Sequence, residues 1–113
     1  MIVIYHNPRC SKSRECLNFM ETSKYEFSTV KYMDEPLSVE KLKEILKLLK
    51  FSPLELVRKN ETIWKDHYKG KNLSDEEIIN AMIEHPKLMQ RPIVINGDKA
   101  VIGRPPELVF DIL

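Results

Sequence analysis

Cysteine and glycine are both scarce in this chain. Two cysteines, Cys10 and Cys16, and three glycines, Gly70, Gly97 and Gly103, occur in 113 residues. Two cysteines so close in sequence make no disulfide framework, so the fold must rest on a hydrophobic core. Without clustered glycines there is no Walker-type phosphate loop. A chain of this length buries about two-thirds of its unfolded surface. A single domain over residues 1–113 is therefore expected.

An excess of one charge sign is missing as well. The 18 Lys+Arg nearly cancel the 17 Asp+Glu, which gives no electrostatic footprint for nucleic acid or an anionic membrane, and neither is expected as a partner. No apolar run approaches the roughly 18 residues needed to span a bilayer. The start MIVIYHNP lacks the basic and long apolar regions of a signal peptide. The expected location is the cytoplasm, where thiols stay reduced, and a monomer is expected.

What is present has a clear order. Ile2–Tyr5 reads as a buried strand, and His6–Arg9 as a tight connection around Pro8. From Ser11 the pattern turns helical, with Cys16, Leu17 and Met20 at helical spacing. Phe27–Tyr32 alternates like a second strand. Strand, helix and strand in this span make a βαβ unit with a parallel pair. Ser38 caps a helix with the stripe Leu42, Ile45, Leu46 and Leu49. Ser52 and Ser74 each open a capping box, the second leading a helix with Ile78, Ile79, Met82 and Ile83. Ile63–Tyr68 adds a further turn. After Pro92, strands Ile93–Ile95 and Ala100–Ile102 join through Asn96–Gly97, and Glu107–Leu113 reads as a closing helix. The expected fold class is α/β, thioredoxin-like: βαβ, a helical insertion at about 38–90, then ββα, with a four-stranded mixed sheet.

The chemistry concentrates at the first turn, YHNPRCSKSREC. A thiol at a helix N-terminus faces unpaired N–H groups and the positive end of the helix dipole, and both favour thiolate. The same field attracts an oxyanion. Cys10 is thus placed as a nucleophile beside a bound anion; the alternative is a small core residue that happens to open a helix. Cys16, about 9 Å further along the helix, matches the apolar stripe and is expected in the core. A C-x-x-C pair would need cysteine where Ser13 stands, so a thiol from another molecule must complete any redox cycle. A phosphatase loop, C-x5-R, would need arginine where Cys16 stands; Arg14 gives only C-x3-R. The three histidines and two cysteines show no metal-ligand spacing, and no metal is expected.

Two further tracts invite sharper readings. KLKEILKLLK over Lys41–Lys50 reads as a core-packed helix with a solvated lysine face rather than a membrane or partner helix. Ile63–Tyr68 mixes aromatics with charge but lacks a surrounding basic stripe, so it reads as helix packing.

Four separated blocks, HNPRCSKSR, LVRKN, HPKLMQRPIVI and GRPPELVFDIL, resemble the glutaredoxin-linked arsenate reductases, a family of thioredoxin-like fold. The resemblance covers nearly the whole chain. It implies that Cys10 attacks arsenate to form a covalent adduct, with glutathione and glutaredoxin as external partners and no bound cofactor. It assigns oxyanion binding to Arg58, Arg91 and Arg104, and tuning of the thiolate or shaping of its loop to His6, Asn7, Ser13 and Arg14. It also implies a cis peptide bond before Pro92. Arginine suits the task because its guanidinium is charged, planar and multidentate, offsetting the repulsion between a thiolate and an arsenate dianion. Lys12 departs from the small or neutral residues relatives often carry and adds positive charge that widens the range of anions. Regulators of the same fold typically carry C-x-x-C, so Ser13 argues against that role. A thiol-based regulator, or a reductase of another oxyanion or a glutathionylated thiol, remains the alternative.

Overall fold

The computed structural model describes residues 2–113. These divide into two compact units, one formed by the chain through Glu35 together with Arg91–Leu113, the other by Pro36–Gln90.

The first unit holds a four-stranded sheet: β1 (Ile2–His6), β2 (Phe27–Lys31), β3 (Ile93–Asn96) and β4 (Lys99–Ile102), in the order β2-β1-β3-β4. The β1–β2 pair is parallel, joined by helix α1 (Ser11–Glu21), while β1–β3 and β3–β4 are antiparallel. The sheet is therefore mixed, and the arrangement is thioredoxin-like. Ile2 and Ile4 on β1, Val94 on β3, Cys16 and Met20 on α1, and Val109 and Ile112 near the C-terminus form one buried cluster. Cys16 has no exposed surface, as its place on the apolar stripe requires. The neighbours Ile93 and Ile95 are buried too, so β3 reads as the continuous apolar run of an inner strand.

Several boundaries differ from the sequence reading: β3 runs on to Asn96, β4 starts at Lys99, and the turn read over Ile63–Tyr68 spans Thr62–His67. β1 runs one residue further, through His6. β2 stops at Lys31 because the Lys31 carbonyl accepts from the N–H groups of both Asp34 and Glu35, which turns the chain at once. The closing segment is a 3-10 helix over Pro106–Ile112, more tightly wound than an α-helix, where the sequence reading had a helix over Glu107–Leu113. Side chains three apart eclipse in that geometry, which aims Val109 and Ile112 together into the core.

The second unit contains α2 (Val39–Leu49), a 3-10 turn (Pro53–Leu56), α3 (Thr62–His67), α4 (Asp75–Glu84) and a second 3-10 turn (Pro86–Leu88). Ser38 Oγ accepts from the Lys41 N–H at 3.1 Å. At the start of α4, Ser74 Oγ accepts from the Glu77 N–H and the Glu77 carboxylate accepts from the Ser74 N–H. Helix α2 packs on α4 through Leu42, Ile45, Leu46 and Leu49, all buried, with Lys43 and Glu76 paired at 2.8 Å. On the α4 stripe Ile78, Ile79 and Met82 are buried and Ile83 is half-buried. A bridge between Val57 and Met89, with the Gln90 N–H donating to the Leu56 carbonyl, ties the segment before Arg58 to the segment leading to Arg91. Among the described residues no helix is long and apolar enough to cross a membrane.

Candidate functional site

Cys10 is the N-cap residue of α1, extended at φ −96° and ψ 125°, and its carbonyl accepts the first helical bond from the Arg14 N–H. The Cys10 N–H donates to the Asn7 carbonyl, closing the loop between β1 and α1. Because the cap side chain is sulfur, the first N–H groups of the helix face a thiol. The first turn, Ser11-Lys12-Ser13, carries no acidic residue, whereas α2 begins with Glu40 and α4 with Asp75, Glu76 and Glu77. The positive end of the α1 dipole is left for Cys10.

Burial acts to raise the Cys10 pKa, but it is outweighed by the Ser13 and Lys12 backbone N–H groups and by Arg91, so the thiol lies below its ordinary value. Arg91 comes from a position 81 residues away: its Nε–H donates to Cys10 Sγ at 2.9 Å. Arg91 Nη1 is buried and has no hydrogen-bond partner among the described residues. A charged donor without an acceptor, next to a thiolate, matches the chemistry of an oxyanion. The Arg91–Pro92 peptide bond is cis, and so is Arg104–Pro105.

His6, Asn7 and Ser13 form one hydrogen-bonded group behind the thiol. Ser13 Oγ accepts from the Asn7 N–H at 2.9 Å and lies 2.8 Å from His6 Nδ1. Both side chains are buried. Burial, reinforced by Lys31, holds His6 below its ordinary pKa, so the ring is neutral at pH 7. Its contact is to Ser13, the residue whose backbone N–H faces Cys10. Arg14 turns back to the loop, with Nη1 donating to the Pro8 carbonyl at 3.0 Å.

Arg104 is exposed and lines a groove of about 240 Å³ together with Lys12, Glu15, Gly103, Pro105 and Pro106. Lys12 is loosely paired with Glu15 at 3.6 Å. Arg58 belongs to the second unit, where its Nη1 pairs with Glu61 at 2.6 Å and donates to the Lys87 carbonyl. The structure thus brings Cys10, Arg91, His6, Asn7 and Ser13 into one bonded set. Arg14 supports the loop, Arg104 lies in the groove, and Arg58 contacts Glu61 and the Lys87 carbonyl.

Both cysteines are free thiols. Burial pushes Cys16 up to about 11, so the two have opposite character six residues apart. Among the described residues no group of three or more His, Cys, Asp or Glu side chains is placed to share a metal ion. Gly103, which opens the GRPPELVFDIL block, is buried, and a Cβ there would meet Cys16, Pro92 and Val94. Its signal in sequence was a glycine ending a strand just before an arginine.

The model of the ArsC family matches residues 5–112. An arsenate reductase of Haemophilus influenzae is 42% identical, covering 99% of this chain and 98% of its own length. The uncharacterised protein YfgD of Escherichia coli is 46% identical over 99% of this chain and 96% of its own. Among solved structures, an arsenate reductase from Vibrio cholerae matches with a TM-score of 0.93 at 43% identity, covering 99% of this chain and 97% of that one.

Proposed function

Because the chain belongs to the ArsC family, we propose that it reduces arsenate to arsenite with Cys10 as the attacking thiol. The observation that supports this most is the 2.9 Å contact from Arg91 Nε–H to Cys10 Sγ. One guanidinium serves two purposes there: it stabilises the thiolate, and its buried Nη1 offers a donor to an arsenate oxygen.

The Cys10 thiolate attacks As(V), forming an S–As bond, and one arsenate oxygen leaves as water. Glutathione adds to the arsenic next, and a second oxygen leaves as water. A glutaredoxin thiol then takes the glutathione sulfur as a mixed disulfide, leaving the electron pair on arsenic, which becomes As(III). Hydrolysis releases arsenite and restores the Cys10 thiol. In net terms two thiols become a disulfide, arsenate becomes arsenite, and one water forms. Cys10 is not consumed, in keeping with Ser13 standing where a C-x-x-C partner would be.

Arg104, exposed beside Lys12, adds positive charge for the incoming anion. Arg58 is given the same task by the resemblance alone. No cofactor has a part, glutathione acting from solution in the cytoplasm, and the unit of function is a monomer. Intact-protein mass spectrometry tests the adduct. Incubation with arsenate and glutathione should give a mass consistent with arsenic and glutathione on Cys10, absent in Cys10→Ser. An adduct persisting in Cys10→Ser would refute the assignment.

A further inference from the structure

Gly103 follows β4 and precedes Arg104, and its backbone does not require glycine, since its φ lies outside the left-handed region. The reason for glycine is space. A Cβ at this position would lie 2.7 Å from Cys16 Sγ, 3.3 Å from Pro92 Cγ and 3.3 Å from Val94 Cγ2. The first distance is far inside van der Waals contact, so something must shift, and the other two are tight enough that their side chains must also give by a few tenths of an ångström. Cys16 has no exposed surface and is packed among Ile2, Ile4, Met20, Val94 and Val109. The bond from the Gly103 N–H to the Pro92 carbonyl at 2.9 Å holds the backbone in place.

The three walls belong to the parts that carry the thiolate site. Cys16 lies on α1, whose N-cap is Cys10. Pro92 follows Arg91, whose Nε–H meets Cys10 Sγ. We propose that Gly103 is a positioning residue, a gap of one methyl group between Cys16 and Pro92 that sets the separation of α1 from Arg91 and so the Arg91–Cys10 contact. Cys16, with no redox part in the proposed cycle, acts here through its size. Close-packed interiors transmit such a displacement rather than absorb it. A β-carbon added at Gly103 must push α1 away, or push the Pro92 segment away, and either movement lengthens the Arg91–Cys10 hydrogen bond.

The test is a compensation cycle with Gly103→Ala, Cys16→Ala and the double variant, read by titrating the Cys10 thiolate through its ultraviolet absorbance. Gly103→Ala should raise the Cys10 pKa by about one unit, the effect of weakening one nearby opposite charge. Adding Cys16→Ala removes the sulfur that the new methyl strikes, and the double variant should titrate like Cys16→Ala alone. Where Gly103→Ala does not fold, the double variant decides: a pKa matching Cys16→Ala supports the proposal, and a raised one overturns it. A foldable Gly103→Ala with unchanged titration also overturns it. In arsenate turnover, Gly103→Ala should lose about 10- to 100-fold, as misplaced reacting groups do, with recovery in the double variant. That second readout rests on the proposed activity, whereas the titration does not; wild-type inactivity on arsenate would leave the titration result standing.

Discussion

At the scale of single residues, the site depends on making two cysteines of one helix chemically unlike. Cys10 faces N–H groups and Arg91, while Cys16 is surrounded by aliphatic side chains. Iodoacetamide at neutral pH should therefore modify Cys10 and spare Cys16, as peptide mapping would show. The Cys10 alkylation rate should fall as pH drops through the lowered pKa, because only the thiolate reacts. Arg91→Ala should move that profile upward by about one unit, and Arg91→Lys, which keeps charge but not the planar fork, should recover only part of it. His6 gives a separate pH signature. Its folded pKa is below its unfolded value, so its contribution to stability is complete above about pH 6.5 and is lost as pH falls through the folded pKa. Denaturation midpoints should decline over that acidic window in wild type and less so in His6→Asn. The identity of Cys10 as the special thiol was legible from its place at a helix start. Arg91 was named only through the family resemblance, as one of three arginines, because nothing in local sequence says which arginine returns across 81 residues to reach Cys10.

At the scale of elements, helix starts decide both stability and chemistry. Helices α2 and α4 begin with serine caps and acidic first turns, which neutralise their dipoles. Ser74→Ala should cost about 1 kcal/mol in urea denaturation, with Cys10 titrating as before. Helix α1 uses cysteine in the cap position and no carboxylate in its first turn. Placing one there, by Lys12→Glu, should raise the Cys10 pKa and raise KM for an oxyanion, since the same charge opposes both thiolate and substrate. These helix starts were readable because capping is a local pattern of a few residues. The pitch of the closing segment was not, because the eclipsed burial of Val109 and Ile112 is a tertiary demand. The packing demand on Gly103 was not legible for the same reason: its glycine is required by Cys16, 87 positions earlier in the chain, and not by any turn.

At the scale of the whole molecule, the parallel β1–β2 crossover sets the α1 N-terminus at one strand end, and the return through β3 brings Arg91 to it. The order of strands and helices could be read from periodicity alone, whereas the meeting of the first turn with the start of β3 is a property of the folded topology. Membership of the ArsC family agrees with that topology, and the arsenate reductases among its relatives give the proposed substrate. The most direct measurement is arsenate-dependent NADPH oxidation coupled through glutathione reductase, glutathione and glutaredoxin, comparing wild type with Cys10→Ser. The account predicts steady turnover by wild type and background rates for Cys10→Ser. No turnover above background by wild type would contradict the activity, and turnover surviving in Cys10→Ser would contradict the mechanism.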